Sequence, residues 1–444
     1  MGARSYQSYR NAVTMDKELS NLHSLFSSVK DYRRNNLSIP LTDMLMSGFA
    51  IFSLKSPSLL NFEQQSKTSK KNLSNIYGIN SFPSDTQLRS VLDNIDPIFL
   101  RDYLATKFKG LRQTGLLKDY AYKIGGQKYL LVSRDGIQHF SSKFRSCEGC
   151  LTTNHKDGST SHHHKFLCAA LVHPDKREVF ILDAESIEQQ DGITKNDCEL
   201  NAAKRLNSNW KKQYEPYQSS YQFLVLEDAI YANGPHIKEL ESQGLSYIIN
   251  VKPKSHKTLF KSIEGKRKRK RLKTYCVTIA GVKHEFEYAN HVLLNNSHPD
   301  LRVNFLHYVE TDKNGNKKVF SWVSNIKVDK NKLFSMMRAG RSRWKIENEV
   351  FNTLANLGYH FKHNFGHGKD HLATMFSYLM LLAFYIDQFV QACSEVFISI
   401  EKGITTKKKL WESIRGLFAF HIFYSMSDLY YKIAEEFDAE IRGR

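Results

Sequence analysis

Asp135 and Asp228 each follow an apolar run and precede a small residue. Residues 128–133 (KYLLVS) read as a buried strand leading into Arg134-Asp135-Gly136, and residues 221–227 (YQFLVLE) as another leading into Asp228-Ala229. Carboxylates brought together at a sheet edge suit hard cations such as Mg²⁺ or Mn²⁺, which prefer oxygen ligands. Two such ions about 3.5–4 Å apart can activate an attacking oxygen and stabilise a leaving one. Gly136 and Ala229 leave room for metal and substrate. A third carboxylate lies in RSRWKIENEVF, where Arg343 and Glu347 are four residues apart, on one helix face. Ile346, Val350 and Leu357 form a separate apolar stripe. By spacing alone, Arg343–Glu347 reads as a surface ion pair worth about 0.2–0.5 kcal/mol. Glu349 is the weaker alternative, about 200° further round a helix of 3.6 residues per turn.

The elements that must position these groups follow from the apolar pattern. After the strand at 128–133, strands are expected at 165–173 and 177–183, separated by a Pro174-Asp175 turn. A helix around 194–209, the strand at 221–227, a helix at about 233–243 and a strand at 245–251 complete the series. Three strands, helix, strand, helix, strand describes a mixed α/β sheet in the order of an RNase H-like core. In that order the strands of Asp135 and Asp228 are neighbours. Residues 253–330 read as a β-rich insertion, with Asn314-Gly315 as a hairpin signal. The chain divides into a helical N-terminal region (1–120), the first part of the core (121–252), the insertion (253–330), the last part of the core with the Glu347 helix (331–375) and a helical C-terminal region (376–444). Ile39-Pro40 opens an apolar helix, and Ser84 with Gln87 is a capping-box pattern.

Composition narrows the partner. Lys and Arg number 64 against 45 Asp and Glu, a formal charge of +19, and such a surface attracts polyanions. Nucleic acid is the first candidate and an anionic membrane surface the second. The first residues carry no apolar signal region. The apolar stretches at 40–54 and 375–386 fall short of the roughly 20 residues of a spanning helix and read as buried core helices. Six cysteines are too sparse for a disulfide scaffold.

Cys147-Glu148-Gly149-Cys150 is a CxxC with histidines downstream. Cys147, Cys150, His155 and His163 make a tetrahedral Zn²⁺ set, as a staple between the first two strands; a redox pair or two unligated thiols is the alternative. His360, His363, His367 and His371, interleaved with aromatics and Lys362, suit contacts to phosphates and bases, or a partly buried loop; metal ligation is the less favoured reading, since no carboxylate apart from Asp370 sits at matched spacing. The run Lys266, Arg267, Lys268, Arg269, Lys270, Arg271 opens the insertion and suits phosphate contact, although a solvated charge run is the commonest fate of such a block. Arg33 and Arg34, mixed with aromatics, fit either a DNA-contacting helical region or a solvated face.

The stretches SRDGIQHFSSK, CEGC with a following His, QDGITKNDCELNAAKR, EDAIYANGPHIKEL, VKPKSHK and RWKIENEVFNTLANLGYHFKHNFGHG occur in that order over about 130–370. This ordered set resembles the DDE transposases of bacterial insertion sequences, of the IS-four/ISNCY type. The resemblance implies an RNase H-like fold, a metal-binding triad of Asp135, Asp228 and Glu347 with Arg343 beside it, and cleavage and strand transfer of DNA. It implies double-stranded DNA partners (terminal inverted repeats and a target), a homodimer in the synaptic complex, no membrane, and a place on the bacterial nucleoid. DNA contact is then expected at Arg33, Arg34, Lys266–Arg271, Lys345, Lys362 and His363. The family's helix signature has Tyr three residues before its Arg and Lys seven after its Glu; here those positions hold Gly340 and Leu354. A catalytically impaired relative that binds DNA as a repressor is the alternative these departures raise.

Overall fold

The computed structural model describes residues 3–33, 38–188, 198–404 and 406–439. Among these residues one sheet takes up all the strands: β1 (Tyr122–Ile124), β2 (Gln127–Ser142), β3 (Leu151–Asn154), β4 (Thr160–Val172), β5 (Phe180–Ile187), β6 (Gln222–Glu227), β7 (Ser246–Asn250), β8 (Lys273–Ile279), β9 (Val282–Leu293), β10 (Arg302–Thr311) and β11 (Lys317–Ser324). Its central part runs β5–β4–β2–β6–β7, with β4 antiparallel to β2 and β5, and β6 parallel to β2 and β7. This mixed sheet with helical flanks is consistent with the RNase H-like transposase fold.

The central strands are nearly continuous apolar runs because both faces are covered. Leu130, Leu131, Val132 and, on β4, Phe166 to Val172 are all buried. Helix Glu199–Gln218 covers one face, where Arg134 meets Asn207 and the ring of Trp210. The segment from Leu333 onward covers the other, where the Ser133 hydroxyl donates to the Arg343 carbonyl at 2.8 Å. The opposite directions of Ser133 and Arg134 are the two-residue alternation of a strand. Part of the helix expected at 194–209 lies outside the described residues.

The insertion is β-rich, and it extends the core sheet: β11 pairs antiparallel with β7, through Val323 opposite Ile249, so the sheet continues into β10, β9 and β8. It also opens with a helix, Lys257–Lys268, which the block of six positive charges obscured in the sequence. The expected hairpin is present, with Gly315 at φ +82° between β10 and β11, a conformation that suits glycine.

The flanking helices share one hydrophobic core with the sheet. Ser84 caps Asp85–Leu92 by accepting from the Gln87 N–H, and Pro40 precedes Leu41–Ser53. Leu41–Ser53 packs on Leu372–Cys393, a helix longer than the apolar stretch suggested. That helix is long and apolar enough to cross a membrane, and its apolar window is entirely buried within the protein. The Asp93 carboxylate accepts from the backbone N–H groups of Lys369, Asp370, His371 and Leu372 at 2.7–3.1 Å. A carboxylate at this end satisfies otherwise orphaned donors and complements the helix dipole.

Candidate active site

Strand register brings the two aspartates together. Ser133 pairs with Leu226 in the parallel β2–β6 ladder, and Asp135 and Asp228 each lie two residues further on. Asp228 stands just past the end of β6, as expected. Asp135 does not end its strand: β2 continues to Ser142 because β4 pairs with it as far as His162 opposite Ser142. The Gly136 N–H donates to Asp135 Oδ1 at 2.9 Å.

Arg343 joins the third carboxylate to the first. Its Nη1 donates to Asp135 Oδ2 at 2.8 Å and its Nη2 to Glu347 Oε1 at 2.5 Å. Asp135, 208 residues before Arg343, and Glu347, four residues after it, therefore share one guanidinium. The backbone here is not a uniform α-helix. Leu333–Arg341 is α-helical, Ser342–Trp344 a tight 3₁₀ turn, and Ile346–Phe351 a wide π turn before Asn352–Asn356. Such π segments are rare and concentrate at functional sites. Ile346, Val350 and Leu354 are buried, and Leu357 is only partly so.

The carboxylates differ electrostatically. Burial pushes Asp135 up to about 6, against the pull of Arg343 and with a further rise from Glu347. At Asp228 burial acts in the same direction, but the Ala229 N–H, Lys252 and Arg343 outweigh it and hold the carboxyl below its ordinary range. Lys252 Nζ lies 3.5 Å from Asp228 Oδ1. Sequence reasoning did not single out Lys252. It follows β7, the parallel neighbour of β6, and the first residues past adjacent parallel strands share one end of the sheet.

Beneath the aspartates, Arg134 and Glu227 each precede one of them and point to the opposite face. Arg134 Nη1 is 2.6 Å from Asn207 Oδ1 and 3.5 Å from Glu227 Oε1, and His236 Nε2 is 2.8 Å from Glu227 Oε2. All three charged or titratable side chains are buried. The network ties β2 to β6 one residue before each aspartate.

The positions of the family signature face inward. A Cβ on Gly340 would lie 2.7 Å from the Trp322 indole and 3.2 Å from Ile248, and Leu354 is fully buried. The residues expected to contact DNA are divided. Lys362, His363 and Lys268 to Arg271 are exposed, and Lys266 is half-buried. Arg267 is held by Glu264 and Glu287, and Arg33 by Asp31 and the Ile39 carbonyl. Lys345 is buried and its ammonium donates to the Lys176 carbonyl, which leaves it turned away from solvent. Arg34 lies outside the described residues.

The expected cysteines, Cys147 and Cys150, lie together, and the expected histidines do not join them. His155 instead contacts the Ser161 hydroxyl through Nε2 at 2.8 Å. His163 lies on β4 beside His164, and strand alternation turns it to the other face. His164 and His367 are the histidines that meet Cys147 and Cys150.

No curated protein matches the chain. Residues 175–385, which include Asp228 and Glu347 and begin after Asp135, match the family model described as Transposase DDE domain, and this match supports a DDE transposase.

Proposed function

We propose that this chain is an insertion-sequence transposase of the IS-four/ISNCY type that cuts DNA at the ends of its element and joins the freed 3′ ends to a target. The observation that carries the reading is the single guanidinium of Arg343 between Asp135 and Glu347, at the sheet end where Asp228 also lies. Three carboxylates with one lysine nearby form the oxygen-rich donor set that Mg²⁺ or Mn²⁺ prefers. Asp135, Asp228 and Glu347 would hold the metal, which when bound supplies charge stabilisation to the attacking and leaving oxygens.

The chain's own residues do the rest. Arg343 orients Asp135 and Glu347, and Ser133 fixes the turn that carries Arg343, its hydroxyl donating to the Arg343 carbonyl. Lys252 places a positive charge beside Asp228, where a scissile phosphate needs one. The exposed cations Lys268 to Arg271 and Lys362 supply backbone phosphate contacts to terminal repeats and target, with a homodimer holding two ends.

The rival reading, a DNA-binding protein without cleavage activity, draws on Gly340 and Leu354. Both positions face the core, so the departures change packing and leave the carboxylates in place. The test is metal-dependent nicking and joining of DNA carrying the element's terminal repeats. The unmutated chain should cut and join; Asp135→Asn should bind the ends and do neither. Full cleavage by Asp135→Asn in Mg²⁺ overturns the assignment, and cutting without joined products replaces it with a nuclease.

A further inference from the structure

Four side chains from three separate segments converge at the far end of β2. Cys147 and Cys150 form a tight turn, with the Cys150 N–H donating to the Cys147 carbonyl at 3.1 Å and the Cys147 N–H to Cys150 Sγ at 3.4 Å. His164 comes from β4, and His367 from the loop that follows the Glu347 segment. Their ligand atoms all lie within 4.8 Å of one another. The two sulfurs are 3.5 Å apart, His164 Nε2 is 3.3 and 3.4 Å from them, and His367 Nδ1 is 3.1 Å from Cys150 Sγ.

These four separations are close to the edge lengths of a tetrahedral zinc centre. Zn–S bonds of about 2.3 Å and Zn–N bonds of about 2.0–2.1 Å put tetrahedral ligand pairs roughly 3.3–3.8 Å apart. The sulfur separation is too long for a disulfide, whose S–S bond is about 2.05 Å. Cys150, His164 and His367 are buried and Cys147 is partly so, as a closed structural site requires. The outer ring nitrogens, His164 Nδ1 and His367 Nε2, have no hydrogen-bond partner among the described residues.

We propose that Cys147, Cys150, His164 and His367 bind one structural Zn²⁺ that pins the loop after the Glu347 segment to the sheet. His164 pairs with His139 and Cys168 with Asp135, so the centre lies four residues, about 13 Å, along the sheet from the carboxylates. It is thus a second metal site, distinct in place and ligand chemistry. Its anchor is extended by ring contacts: His139 packs 5.6 Å from His164 and 5.1 Å from Phe361, and its Nε2 meets the Ser377 hydroxyl at 2.6 Å. The zinc links strand β4, the CxxC turn and the entrance to the buried helix Leu372–Cys393.

The test uses the full chain prepared without a polyhistidine tag. Elemental analysis should find about one zinc per chain, and Co²⁺ replacement should give the visible bands and thiolate charge-transfer absorption of a tetrahedral site. Cys147→Ser and His367→Ala should each lower zinc content by roughly tenfold or more, whereas His155→Ala and His163→Ala should keep it. A mercurial thiol reagent should release the zinc from the unmutated chain, so the outcome does not depend on whether a variant folds. An unmutated chain without zinc, a Cys147–Cys150 disulfide in its place, or full zinc in Cys147→Ser overturns the proposal. None of these readouts depends on DNA cleavage.

Discussion

Asp135→Asn in metal-free protein exposes the cost of the charge that the site holds ready for a cation. The Asp135 carboxyl is raised from 3.8 to about 6, first by burial and then by Glu347, with Arg343 opposing. The folded state therefore holds this proton more tightly than the unfolded chain does. Between about pH 4 and about 6 folding takes up a proton, so the Asp135 contribution falls as pH rises through that window and is flat above it. The shift of 6 − 3.8, about 2 units, corresponds to roughly 3 kcal/mol at 1.36 kcal/mol per unit. Asparagine cannot ionise and escapes the penalty. For a chain this long, 1 kcal/mol moves the melting temperature by about 1 °C, from an unfolding entropy near 2.1 cal/mol/K per residue. In a chelating buffer, melting temperatures of the two proteins should approach one another near pH 4, and Asp135→Asn should lie about 3 °C higher by pH 7. Added Mg²⁺ should then raise the unmutated chain and leave the variant where it was. Parallel melting curves from pH 4 to 7, or equal response to Mg²⁺, would refute the argument that burial and Glu347 strain this carboxylate for metal binding.

Glu227→Gln should destabilise the fold by about 3–5 kcal/mol in urea unfolding, because it leaves the Arg134 guanidinium buried without its counter-charge; a cost below about 1 kcal/mol would show that Asn207 and Trp210 suffice. Gly340→Ala should cost about 1–3 kcal/mol by overpacking against Trp322, and Gly340→Tyr more. Gly340→Tyr should therefore lower thermal stability without raising cleavage, and a more active Gly340→Tyr would contradict the packing seen here.

The central strands were legible because burial on both faces leaves unbroken apolar runs, and Asp228 was legible because β6 ends where its run ends. The length of β2 was not: its outer half is polar at Gln138 and Ser141, and only pairing with β4 extends it through Asp135. Arg343 and Glu347 were placed four residues apart on one face, and they do meet, although through 3₁₀ and π turns that no 3.6-residue periodicity reveals. The zinc ligands show the same limit. CxxC is a local signal, but His367 lies 217 residues from Cys150, and adjacency in sequence favoured His155 and His163 over it. The inward orientation of Lys345 depends on the Lys176 carbonyl, a partner that no helical pattern could supply.

The continuity of the sheet from β6 to β9 sets a length. Arg267, at the end of the basic helix, is held by Glu287 on β9, four strands from the strand that leads to Asp228. At about 4.8 Å per strand this is roughly 19 Å. One strand of B-form DNA advances about 3.4 Å per nucleotide, so the distance corresponds to about five or six base pairs. Strand pairing, unlike a hinged linker, keeps that interval constant. Under the proposed reading, the insertion works as a ruler: it grips the duplex at a set number of base pairs from the phosphate that is cut.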